Sequence, residues 1–166
     1  MSTVEITESG HYNATGGVLH SGKFRCDVEL FGKRVGEGYV VRCAEYFEAL
    51  PEDILGALKT ASAEYLNDFL KENEGALDTE WLDEITAENV MTFLVPVRLT
   101  VFSHELLTEE DAPPAFSVKL MFSPVPDTLV EWAVRGGTAV YVGEYRDVSP
   151  WNEKLRTKRW NYLCEV

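Results

Sequence analysis

The chain reads as an α+β protein: an antiparallel sheet of about five to seven strands, in hairpins and meanders, packed on one long helix and one or two short ones. Three observations predict this. Apolar and polar residues alternate over 24–30, 97–102, 116–122 and 129–145, the period of a strand with one covered face. From Pro51 to Leu70 the apolar spacing changes to three and four, the mark of an amphipathic helix. The length, 166 residues, suits a single domain over 1–166 that buries a core without disulfides or metals, with 1–16 expected to fray.

The first strand signal is Phe24, Cys26, Val28 and Leu30 on one face, with Arg25, Asp27 and Glu29 on the other. A turn at Gly32-Lys33 would send Val35, Tyr39, Val41 and Cys43 back as its hairpin partner, and a turn at Gly36-Glu37 is the competing choice. The main helix starts at Pro51, which suits a first helical position, and Glu52 and Asp53 then face the positive end of the helix dipole. Ile54, Leu55, Leu58, Ala61, Tyr65, Leu66, Phe69 and Leu70 form its apolar stripe, and Gly75 stops it. A short helix is expected next, capped by Asp78 or Thr79, with Trp81, Leu82 and Ile85 inward. Thr86 caps a further turn through Val90 and Met91 that Pro96 ends.

Val97, Leu99 and Val101 open the second strand region, and residues 104–114, rich in acids and ending in Pro113-Pro114, read as a loop. Phe116 to Phe122 is another alternating strand. Leu129–Val134 and Thr138–Tyr145 flank Gly136-Gly137, a pair that tolerates the positive φ angles of a type I′ turn. That register sets Trp132 opposite Tyr141 and Val134 opposite Ala139. From Ser149 a short turn or helix is expected, then a closing strand over 159–164.

Charge is unevenly spread. The chain has 28 acids and 15 Lys and Arg, net −13. Residues 45–88 hold thirteen acids and two bases, whereas 112–166 hold six acids and seven bases. Such a surface repels phosphate backbones and anionic membrane faces, so neither nucleic acid nor membrane is expected as partner. No apolar run approaches the ~20 residues that cross a bilayer, and residues 1–16 carry neither a Lys or Arg nor an apolar stretch of secretory type. A basic protein is the electrostatic complement, and plain solubility is the alternative explanation of the acidity. Glu64, Asp68 and Glu72 recur every fourth residue on the outer side of the main helix, and Glu80, Asp83 and Glu84 extend them.

Groups for chemistry are sparse. Cys26, Cys43 and Cys164 are odd in number and form no C-x-x-C pair, so free thiols of a cytoplasmic protein are expected. His11, His20 and His104 are never three or four apart, and no metal or other cofactor is expected. His104-Glu105 and the hairpin-end carboxylates Asp127, Glu144 and Asp147 supply the alternative, a small hydrolase or metal-assisted enzyme. The tail sets Lys154, Arg156, Lys158 and Arg159 beside Trp151, Trp160 and Tyr162, and it reads as a basic segment that meets an acidic surface.

The run Phe116-Ser-Val-Lys-Leu-Met-Phe122, then Leu129-Val-Glu-Trp-Ala-Val134, a glycine turn and Val140-Tyr-Val-Gly-Glu-Tyr-Arg-Asp147 resembles the C-terminal sheet of small acidic bacterial domains of unknown function. Some of those domains are immunity-protein-like and neutralise toxins. The stretch Phe122-Ser-Pro-Val-Pro-Asp127 departs from the acid-rich run such domains carry there, and no functional residue is transferred. The resemblance implies an immunity-type inhibitor, and with the uneven charge the leading reading is a non-enzymatic protein-binding domain that meets a basic partner through its acidic helical face. A structural or phage-derived accessory role is a third reading. Oligomeric state is not legible in the sequence.

Overall fold

The structure, a computed structural model, describes residues 2–8, 14–104 and 106–164. Among the described residues seven strands form one sheet in sequence order: β1 (Thr3–Glu8), β2 (Ala14–Ser21), β3 (Cys26–Lys33), β4 (Leu94–Phe102), β5 (Ala115–Phe122), β6 (Leu129–Arg135) and β7 (Thr138–Glu144). Two helices, α1 (Glu37–Glu48) and α2 (Glu52–Glu72), connect β3 to β4. A connection of that length allows two strands to run parallel, and β3 and β4 do so, while all other neighbours are antiparallel. The class is therefore α+β with a mostly antiparallel sheet, but the sheet is not purely antiparallel.

The expected partner of β3 is where the structure departs most. Residues 37–48 form α1, not a strand, and Gly32-Lys33 end β3 rather than turning it. Tyr39 and Cys43 lie four apart, a spacing that keeps two side chains on one face in a strand and in a helix alike. Val40, Ala44 and Phe47, all buried, complete the helical stripe, while Val41 is only half-buried. Gly32 is needed for close approach: a Cβ there would sit 2.2 Å from Val35 Cγ2 and 2.9 Å from Val40 Cγ2, so any side chain would push α1 off the sheet.

The partner of β3 is instead β2, with β1 beyond it, so 3–8 and 14–16 are ordered strand rather than frayed chain. The part of that expectation on 9–13 lies outside the described residues. β4 begins at Leu94 and includes Pro96, which sits at a register shift and outside the five pairs made with β3. β6 and β7 pair as expected at Val134 and Ala139. A bulge between Ala133 and Val134 then moves Trp132 opposite Val142 and sets Tyr141 opposite Ala133. Of the two turn glycines only Gly136 has positive φ (56°), so the turn is not type I′.

α2 matches its stripe. Pro51 precedes it, Glu52 and Asp53 occupy its first turn, and Ile54, Leu55, Leu58, Ala61 and Leu66 are buried. Both helices join one core cluster with Leu30, Leu99, Val118 and Trp132 of the sheet. Trp132 donates its indole N–H to Ser62 Oγ at 2.7 Å, with both groups buried. The tail makes a 3-10 turn (Leu155–Thr157) and no closing strand. It still pairs with the outer edge of β7: Tyr162 N donates to Val142 O, and the Asn161 amide accepts from Val142 N and donates to Val140 O. One side chain there takes the place of a strand.

No helix among the described residues is long and apolar enough to cross a membrane. Cys26 and Cys43 are free thiols, and burial pushes the Cys43 thiol up to about 11.

Candidate functional site

All six acids of the predicted surface are exposed, but they fall into two groups. Glu64, Asp68 and Glu72 follow the outer side of α2. The tail crosses beside them, so that the Tyr162 hydroxyl donates to Asp68 Oδ2 at 2.7 Å and its ring packs edge-on against Tyr65. Burial first, and the Asp68 carboxylate second, push the Tyr162 hydroxyl well above its ordinary range.

Glu80, Asp83 and Glu84 belong to the segment after α2. Gly75, at φ 86°, turns the chain away from the helix end. The helix expected over 79–85 is absent. In its place the Asn67 side chain donates to Ile85 O and accepts from Ile85 N, at 2.7 and 3.1 Å, and this buries Ile85 in a non-helical backbone. Thr86 and Asn89 exchange two further bonds, which close the turn before Val90–Thr92. Between the loop and α2 lies a hollow of about 330 Å³, walled by Lys71, Glu74, Glu80, Asp83 and Glu84.

Trp81 differs most from expectation. Its spacing puts it on the inner side of a short helix, yet it is 64% exposed, its indole N–H donated to Asp78 O at 3.0 Å. A large indole therefore stands outward in a stretch whose Asp78, Glu80, Asp83 and Glu84 are all exposed.

The alternative catalytic groups are not brought into one cluster by any contact among the described residues. His104 Nδ1 accepts from the backbone N–H of Leu106 and Leu107, and its ring packs against Trp151. Glu144 pairs with Arg146 at 3.4 Å, while Asp127 is an exposed turn residue. Glu105 and His11 lie outside the described residues. Among the described residues no group of three His, Cys, Asp or Glu side chains is placed to hold a metal ion.

Sequence reasoning passed over Glu131. Its position on the polar side of β6 suggests solvent, yet it is fully buried. Its Oε1 accepts from Arg146 N and Val148 N at 3.0 and 3.3 Å. Oε2 is buried with no hydrogen-bond partner among the described residues, and the Ser117 hydroxyl nearby favours the charged form. Burial pushes this carboxyl up to about 7, the two backbone donors opposing and Asp147 adding to the shift. The available signal was Ala133 and Tyr141 on the same side, since apolar residues on a polar face imply that something covers it.

Comparison with protein-family models, with curated proteins and with solved structures finds no match.

Proposed function

We propose that this chain is a non-enzymatic binding domain, an inhibitor of immunity type acting in the cytoplasm, whose acidic side docks a basic protein. Exposed Trp81 among exposed carboxylates carries the reading. Tryptophan anchors are enriched among the residues that dominate protein interfaces, where truncation costs about 2 kcal/mol or more. Surrounding charge of one sign steers a cationic partner and selects against acidic ones. The two acidic groups then differ in role. Glu64, Asp68 and Glu72 supply the long-range field, and Glu80, Asp83 and Glu84 frame the anchor. The hydrolase reading has less behind it, because the Nδ1 lone pair of His104 is already used by two backbone donors.

The test is capture from the native host at low and high salt, comparing wild type with three variants. Reversal of Glu64, Asp68 and Glu72 to Lys, or of Glu80, Asp83 and Glu84 to Lys, is expected to abolish capture of a basic protein at low salt. Trp81→Ala is expected to speed dissociation at least tenfold and leave the salt dependence of association intact. If every partner binds all three variants like wild type, the acidity serves solubility alone.

A further inference from the structure

The hollow at the carboxyl ends of β3 and β4 is unrelated to the acidic side. In open sheets ligands favour the crevice beyond the carboxyl ends of parallel strands. Here β3 and β4 are the parallel pair. β3 leaves through Lys33 and Arg34 toward α1, and β4 leaves at Ser103 into the acidic loop. The hollow measures about 380 Å³, within the range of small-molecule sites. Phe31 and Lys33 of β3 and Arg34 just after it line one side, Thr100 and Phe102 of β4 and Ser103 just after it the other, and Asp147 closes it from beyond β7.

Its rim is built at a conformational cost. Three non-glycine residues of the described chain have positive φ, and two of them, Arg34 (59°) and Asp147 (55°), line this hollow. Asp147 is held there by the buried Glu131, whose Oε1 takes the backbone N–H on either side of it. The Phe31 ring is fixed in turn by the Arg98 guanidinium, 4.6 Å from its centroid. Lys33 and Arg34 are exposed and make no ion pair among the described residues, in a chain with nearly twice as many acids as bases.

We infer that this hollow binds a small aryl anion, a carboxylate or phosphate on a flat apolar body. Lys33 and Arg34 meet the anionic group, and Phe31 and Phe102 flank the ring. The Asp147 carboxylate, the one acid of the lining, accepts from a hydroxyl on the far side of the ring. Two cations against one anion leave the site net positive, and the acid selects ligands that carry a donor.

The experiment is amide-shift titration of the whole chain with benzoate, 4-hydroxybenzoate, phenyl phosphate, benzyl alcohol and inorganic phosphate. Saturating shifts are expected at Lys33, Arg34, Thr100, Ser103 and Asp147 with the aryl anions. Benzyl alcohol and inorganic phosphate should bind at least tenfold more weakly, and the benzoate and phenyl phosphate arms separate the two anionic groups. Lys33→Ala with Arg34→Gly should cost at least tenfold in affinity without loss of fold, since glycine accepts the φ that arginine holds. Asp147→Asn, which tolerates the same φ, should erase the advantage of 4-hydroxybenzoate over benzoate. No localised shift at millimolar ligand overturns the site. So does equal binding of benzyl alcohol, or of inorganic phosphate, or wild-type affinity in the double variant.

Discussion

Two neighbouring rows of side chains cross this sheet, and one step along each strand separates them. Leu30, Leu99, Val118, Trp132 and Val142 form the row under the helices, and all five are buried. Glu29, Arg98, Lys119, Glu131 and Gly143 form the row on the opposite face. The first row is a uniform apolar layer. The second grades from an open ion pair, Arg98 to Glu29 at 3.4 Å with Glu29 61% exposed, to the buried carboxyl of Glu131. Nothing in the strands sets that gradient. It comes from residues 146–161, whose Val148 and Leu155 cluster with Ala133 and Tyr141 over one end of the face only. The helical face is thus uniformly apolar, while the other keeps its charges where water reaches them and shifts them where the tail covers them, because charge is cheap in water and costly under cover.

The sharpest way to break this contrast is through the helical face. Leu58, fully buried on α2, should cost about 2–5 kcal/mol when changed to Ala, read as a lower urea midpoint at unchanged slope. A loss below 1 kcal/mol would mean that α2 is not part of the main core.

Glu131→Gln sharpens the other side. The folded carboxyl holds its proton up to about pH 7, against an ordinary value of 4.5. Between these values the folded chain binds more protons than the unfolded one. The contribution is therefore whole below about pH 4.5 and is lost as pH rises through 7. Glutamine stays neutral and keeps an oxygen for Arg146 N and Val148 N. The variant should match wild type at pH 4 and exceed it at pH 8 by about 1–3 kcal/mol in urea unfolding. Parallel stability curves would show that Glu131 is ionised and fully supported.

The smallest effect belongs to the open end of the same row. Glu29→Gln should cost no more than about 1 kcal/mol, and the difference from wild type should fade in molar salt. A larger, salt-insensitive loss would mean that the whole row acts as one coupled network.

How much of this was legible follows from particular residues. α2 and β5 were readable because their periods are unbroken, and the β6–β7 hairpin because a glycine pair marks its turn; the bulge that parts Trp132 from Tyr141 left no mark in the alternation. α1 was not readable, since Tyr39 and Cys43 satisfy both periods and only Val40 against Val41 decides. β2 hid behind its small residues: a Cβ on Gly17 would stand 2.4 Å from Glu5 O, so this glycine serves strand packing rather than a turn. The acidic side was legible as charge but not as shape, because the Asn67–Ile85 bonds that set Trp81 outward link residues 18 apart. For Glu131 the apolar neighbours Ala133 and Tyr141 signalled a cover, but not what supplies it, because the cover arrives from a segment with no period of its own.

The single parallel seam has a kinetic consequence. The sheet is two antiparallel meanders, β1–β3 and β4–β7, and most pairings within each are local in sequence. The seam between them has five residue pairs and must wait until about sixty intervening residues have been ordered. Folding should thus show two fast local phases and a slower docking phase, with variants at Leu30 and Leu99 retarding the last one. Until that step the inner edges of β3 and β4 are both open, and each offers unpaired backbone to other chains. Refolding yield should therefore fall with protein concentration most steeply when the seam, rather than either meander, is weakened.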